Sequence, residues 1–151
     1  MPAFLFGPPK KSNPDGGLAG ASPGLGRRRV GHAGRRVLIV EDEAMIAGWI
    51  ESILRKGGWS IVGPIATLER ALATIERERF DAALLDIRIN GHDAYAVADV
   101  LMKRRIPFIF VSGFTRKQMP AAYRHCAYIA KPFTPDAMLA LLDEIVGRRS
   151  L

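Results

Sequence analysis

The chain has 151 residues, the size of one domain of ~100–150 residues, and its 22 Lys+Arg against 15 Asp+Glu give a net charge of +7. The single cysteine, Cys126, excludes an intramolecular disulfide framework and a Cys-pair zinc site. No apolar run approaches the ~18–20 residues of a membrane helix, and Met1–Gly7 lacks the basic start and long apolar stretch of a signal peptide, so a cytoplasmic protein without membrane insertion is expected.

Residues 1–35 read as a disordered basic tail. Gly and Pro dominate it, and it holds too few large apolar side chains to offset the entropy of ordering. Through residue 36 it carries Lys10, Lys11, Arg27, Arg28, Arg29, Arg35 and Arg36 against one acid, Asp15, which is +6 of the total charge. The high pI therefore describes the tail. Such a segment is either a solubilising extension, a start assigned too early, or a non-specific binder of polyanions. Gly24-Leu25-Gly26-Arg27 lacks the flanking strand and helix of a phosphate loop.

From residue 36 to about 149 the pattern becomes regular. Val37–Val40 is an apolar run ending in Glu41, Asp42 and Glu43. Ile46, Trp49, Ile50 and Ile53 follow at one-face helical spacing, and Gly57-Gly58 stops that helix. Trp59–Pro64 predicts a second strand bounded by its proline. Thr67 caps a second helix with the stripe Leu68, Ala71, Leu72 and Ile75. Phe80–Leu85 is a third strand ending on Asp86, and Val97, Val100 and Leu101 mark a third helix. Pro107–Val111 is a fourth strand ending at Ser112-Gly113. A weak helical stretch broken by Pro120 is expected to be stunted or mobile. Ala127–Ala130 is a fifth strand ending at Lys131-Pro132, and Thr134 caps a last helix that buries Met138, Leu141, Leu142 and Ile145. Cys126 reads as a small core residue, and His32, His92 and His125 as surface or loop residues sharing no metal spacing.

Five strands alternating with about five helices predict an α/β fold: a flavodoxin-like, doubly wound (βα)5 domain with a five-stranded parallel sheet in the order 2-1-3-4-5. Ligands of such sheets bind beyond the carboxyl ends of the strands. There the sequence places Glu41 and Asp42, Asp86, Ser112 and Lys131. Singly, each has a bland explanation: an acid after a strand caps a helix, Ser-Gly makes a turn and Lys-Pro a loop. Together they put three carboxylates on adjacent strands, where they repel one another unless a hard cation such as Mg2+ intervenes. A lysine stands opposite as a phosphate binder, and a hydroxyl stands nearby. The set suits an acyl phosphate on Asp86.

Val37-Leu-Ile-Val-Glu-Asp-Glu43, Leu84-Leu-Asp86, Val111-Ser112-Gly113 and Lys131-Pro132-Phe133 resemble the signature of response-regulator receiver domains over about residues 35–148. The resemblance implies a single-domain response regulator of a two-component phosphorelay. In it Asp86 is the phosphoacceptor, supplied by a sensor histidine kinase or a histidine phosphotransfer protein. Glu41, Asp42, Asp86 and the backbone carbonyl of Arg88 hold Mg2+, Ser112 is the switch hydroxyl, Lys131 pairs with the phosphate, and Tyr128 takes the aromatic switch position. The Lys131-Pro132 bond is expected to be cis. Tyr128 also fits an ordinary strand aromatic. Phe110-Val-Ser-Gly-Phe114 resembles the atypical single-domain class with a Phe-Ala-Thr-Gly-x-Tyr-like motif, and its Gly113 is expected to loosen that loop. Arg88 brings a long cation beside the phosphate, either slowing water or merely solvated.

No output domain is expected after the last helix, so signalling would pass through an unidentified protein target or by draining phosphoryl groups. Dimerisation through a helical face is open, and nucleic acid enters only through the tail. Two other readings lose on single residues. An aspartate-nucleophile phosphohydrolase wants a second acid two residues after Asp86, where Arg88 stands. A flavodoxin-like cofactor binder wants a hydroxyl- and glycine-rich loop where Glu41-Asp42-Glu43 stand.

Overall fold

The structure is a computed structural model that describes residues 34–150, with side chains through Arg148. The tail expected over 1–35, with His32, lies outside the described residues except for Gly34 and Arg35. Strands β1 (Arg36–Val40), β2 (Ser60–Ile65), β3 (Ala82–Asp86), β4 (Phe108–Ser112) and β5 (Tyr128–Ala130) alternate with helices α1 (Ala44–Lys56), α2 (Leu68–Arg77), α3 (Tyr95–Lys103) and α4 (Pro135–Ser150). All pairs within this five-stranded sheet are parallel and its order is β2-β1-β3-β4-β5, the doubly wound order expected.

The strands read as continuous apolar runs because both sheet faces are covered. Alternation then sends successive residues to opposite cores. Leu38, Val40, Ala83, Leu85, Phe108 and Phe110 pack with α2 and α3. Val37, Ile39, Ala82, Leu84, Ile109 and Val111 pack with α1 and α4.

Several local expectations are corrected. Helix α1 buries Ala47, Ile50, Ile53 and Leu54, whereas Trp49 is 43% exposed. Its indole stacks on Phe133 at 4.9 Å instead of entering the core. The β2 proline lies inside the strand, tolerated because β2 is an edge. Gly63 before it has φ +96°, and a Cβ there would sit 2.8 Å from the Ile65 nitrogen, so only glycine fits this bend. Thr67 caps α2 by accepting the Arg70 N–H at 3.2 Å, as its sequence position suggested.

Where a fourth helix was expected to be stunted, two 3-10 turns stand, Arg116–Gln118 and Ala121–Tyr123, with Pro120 between them. The segment is stitched down. Arg116 donates to the carbonyls of Arg124 and Cys126, Arg124 Nε to that of Met119, and the Tyr123 hydroxyl to Asp99 at 2.7 Å. Tyr123 also stacks on Tyr95 at 4.4 Å, closing the turn against α3. Cys126 is buried just ahead of β5, as expected of a small core residue, and burial pushes its thiol pKa up against the lowering effect of Arg116. Of the histidines, His92 and His125 are exposed.

Candidate functional site

Each strand of the sheet's centre stops where its apolar run gives way to a polar residue, and these stops share one edge. Glu41 follows β1 and is only 3% exposed, and Asp86 closes β3 at 7%. Because β1 pairs directly with β3, the carboxylates of Glu41, Asp42 and Asp86 converge, with one oxygen from each within 4.8 Å of the others.

Lys131, just after β5, compensates them. Its Nζ lies 3.1 Å from Glu41 Oε1 and 3.0 Å from Asp86 Oδ2, with Glu43 at 4.0 Å. The remaining lone pairs are also engaged. Glu41 Oε2 accepts the Glu43 N–H at 3.1 Å, and Asp86 Oδ1 accepts the Arg88 N–H at 3.1 Å. The lysine's backbone N–H donates to the Ser112 carbonyl at 2.9 Å, which ties its position to the end of β4, and its bond to Pro132 is cis, as expected.

Charge and burial oppose each other here. Burial pushes the Glu41 pKa up to about 7, the Asp86 charge adds to this, and the Glu43 N–H and Lys131 hold it back. For Lys131, burial alone would lower the pKa, but the hydrogen bonds and charges of Asp86 and Glu41 outweigh it and hold the ammonium above its usual value.

Asp42 is held differently. Its carboxylate accepts the Asn90 N–H at 2.9 Å, from a two-residue hairpin in which Arg88–Ile89 pairs with His92–Asp93. Asn90 and Gly91 turn it with φ of 53° and 80°, and the Asn90 side chain donates to the Ala66 carbonyl at 2.9 Å. This hairpin was not among the elements expected from periodicity, although Asn-Gly is a strong two-residue turn signal.

The other expected residues divide. Ser112, 3% exposed at the end of β4, faces the same cleft as Asp42, Asp86, Arg88 and Lys131, and its Oγ accepts the Phe114 N–H at 3.1 Å. The Arg88 guanidinium binds Asp93 at 3.0 Å and the Gly91 carbonyl at 2.6 Å, so it braces the hairpin. Tyr128 does not reach the carboxylates; its hydroxyl donates to the Phe114 carbonyl and its ring lies 5.2 Å below the Arg116 guanidinium. It is thereby tied to the loop that follows Ser112.

The cleft is open, about 560 Å³. Its chemistry is that of a buried carboxylate between a fixed ammonium and two further carboxylates. Hard oxygen donors at this spacing fit Mg2+, and the raised Glu41 pKa, set first by burial and then by the Asp86 charge, shows that its carboxylate is short of positive charge.

Comparison with known proteins gives the same answer from sequence and shape. Residues 37–143 match the response regulator receiver domain. The solution structure of SdrG from Sphingomonas melonis Fr1 superposes with a TM-score of 0.67 at 34% identity, covering 74% of this chain and 96% of that one. The receiver domain of the sensor histidine kinase PA1611 from Pseudomonas aeruginosa PAO1, crystallised with a magnesium ion in its active-site cleft, gives 0.64 at 28% identity over 76% and 99%. The transcriptional regulatory protein PdtaR of Mycobacterium tuberculosis is 29% identical over 118 residues, 76% of this chain but 58% of its own length. The chain thus spans little more than half of that curated relative, and 46% of the phyllosphere-induced regulator PhyR of Methylorubrum extorquens.

Proposed function

The chain belongs to the response regulator receiver domain family, and we propose that it takes a phosphoryl group onto Asp86 from a histidine kinase or a histidine phosphotransfer protein. The observation that carries this is the buried Asp86 carboxylate, held at 3.0 Å by Lys131 on one oxygen and at 3.1 Å by the Arg88 N–H on the other. A carboxylate fixed in this way is oriented for attack before the donor arrives, which removes part of the entropic barrier. The attacking oxygen forms the O–P bond as the donor's N–P bond breaks. The imidazole keeps that electron pair and takes up a proton.

Glu41, Asp42, Asp86 and the Arg88 carbonyl are the proposed Mg2+ donors, and the bound ion supplies positive charge to the carboxylates and to the arriving phosphoryl oxygens. Lys131 lies within reach to transfer its pairing from the free carboxylate to the phosphoryl group. Ser112 is the proposed switch hydroxyl: it gives up the Phe114 N–H when it turns to the phosphate, which frees the loop to which Tyr128 is bonded. Met45, 88% exposed, and Trp49 offer apolar surface on α1, the helix that leads away from Glu41 and Asp42. A helical phosphodonor approaching the cleft has apolar surface to seat on there. Output passes through a partner protein or through draining the donor, in a domain acting on its own. In support, SdrG is matched over 96% of its chain.

The test is Mg2+-dependent binding of beryllofluoride, an acyl-phosphate mimic, followed by amide NMR shifts. Saturable shifts at Asp86, Ser112 and Lys131, absent in Asp86→Asn, are expected. No binding by the wild type overturns the assignment.

A further inference from the structure

We infer that a groove at the amino-terminal end of β4 and β5, on the edge opposite the phosphoacceptor cleft, binds an acidic amphipathic helix of a partner protein. The groove holds about 430 Å³ and is open to solvent. Met102, Phe108 and Ile145 give it an apolar floor, and Arg105, His125 and Arg148 stand around it. None of its lining residues is acidic. Phe108 and Ser112 are the two ends of β4, roughly 13 Å apart at ~3.3 Å per residue, so the groove is separate from the cleft.

Charge selects the occupant. Residues 100–135 contain Lys103, Arg104, Arg105, Arg116, Lys117, Arg124 and Lys131 and no acid. Among the described residues, Lys131 alone of these seven meets a carboxylate. Of the seven only Arg105 lines the groove, joined there by Arg148, whereas Arg104 faces a neighbouring cleft with Glu76, Glu78 and Asp81. Arg148 pairs with Glu144 one turn away on the exposed side of α4, but Arg105 has no carboxylate partner among the described residues. A cationic rim over an apolar floor suits a helix that inserts apolar side chains at i, i+3/i+4 and i+7 and flanks them with Asp or Glu. A nucleic acid finds no use for the floor.

The probe is a fluorescein-labelled synthetic helix of about 18 residues, with leucines on one face and glutamates flanking them, titrated by anisotropy against the full chain. A peptide with lysines for the glutamates and a scrambled acidic peptide are the controls. Saturable binding of the acidic helix is expected, with amide NMR shifts at residues 102–108 and 125–127. Both controls should bind at least about tenfold more weakly, and the Arg105→Glu, Arg148→Glu double variant should lose about tenfold in affinity. Both positions are exposed, so the variant should fold, and an unchanged circular dichroism spectrum with retained Mg2+ binding checks that it has. Met102→Lys attacks the floor independently and should weaken binding as well. Equal affinity for the lysine peptide, undiminished binding by the double variant, or shifts confined to Met45–Trp49 would overturn the inference. So would sedimentation showing that a second copy of the chain already occupies the groove.

Discussion

Replacing Lys131 with alanine isolates the electrostatic logic of the cleft. The lysine side chain is 19% exposed, against 2% for Glu41 and 9% for Asp86, so all three charges sit largely out of water. At an effective dielectric of ~20, an ion pair at this separation is worth ~5 kcal/mol before desolvation, and removing one partner of a buried pair typically costs ~3–5 kcal/mol. The lower end applies here, because Glu41 can escape by taking a proton: its pKa already stands at about 7 with the lysine present. Without Lys131 it rises further. The folded state then holds a proton that the unfolded chain has released, so stability falls as pH rises through that window, by ~1.4 kcal/mol per unit. Wild type should lose this contribution between pH 4.5 and 7 and level off, whereas Lys131→Ala keeps losing stability above pH 7. Lys131's own contribution stays constant across this range, since its folded pKa is raised and is lost only on deprotonation above the ordinary lysine value. Urea denaturation without metal should therefore give a loss of about 3 kcal/mol at pH 8, shrinking to about half that at pH 6. Millimolar Mg2+ should restore most of the pH 8 loss, because it replaces the missing charge and binds only the folded state. A deficit that is independent of pH, or untouched by Mg2+, would refute the reasoning.

The same linkage governs metal binding itself: below pH 7 Mg2+ must displace a proton from Glu41, so its affinity should fall with decreasing pH. Calorimetry in buffers of different ionisation enthalpy should count up to one proton released, and none in Glu41→Gln. Asn90→Ala should cost roughly 1–2 kcal/mol, from the bond to the Ala66 carbonyl and the left-handed backbone at φ 53°. Asn90→Gly should recover the backbone part, and Mg2+ affinity should weaken in the alanine variant as the turn that holds its backbone N–H on Asp42 loosens. Tyr123→Phe should cost about 1 kcal/mol in urea titrations by freeing the 3-10 segment from Asp99. The same hydrogen bond, with burial, pushes the Tyr123 pKa up to about 12. Ultraviolet titration should show a tyrosine ionising near pH 12 that the variant lacks, and the stability it lends is present below pH 10 and lost as pH rises toward 12.

The strands were legible because a two-sided sheet needs continuous apolar runs, and the polar residue ending each run marked the site's edge. Convergence of Glu41, Asp42 and Asp86 then followed from topology, since a doubly wound order makes the first and third strands neighbours. Helix faces were less legible. The spacing of Ile46 and Trp49 fits a core stripe as well as that of Ala47 and Leu54 does, and what keeps Trp49 outside is Phe133, a partner from another element. Side-chain destinations were the least visible. Arg88 turns into the hairpin with Asp93, and Tyr128 to the Phe114 carbonyl, through contacts that only the folded chain creates. Asn90 went unnoticed because a two-residue turn leaves almost no periodic trace, although its Asn-Gly signature was present.

The central claim is that Asp86 is the phosphoacceptor. It is tested most directly by incubating the full chain and Asp86→Asn with acetyl phosphate and Mg2+ and measuring intact masses. The account predicts one phosphoryl group on the wild type, removed by hydroxylamine as an acyl phosphate is. It predicts none on Asp86→Asn and none when the metal is chelated. Equal labelling of Asp86→Asn, or labelling that survives chelation, would contradict it.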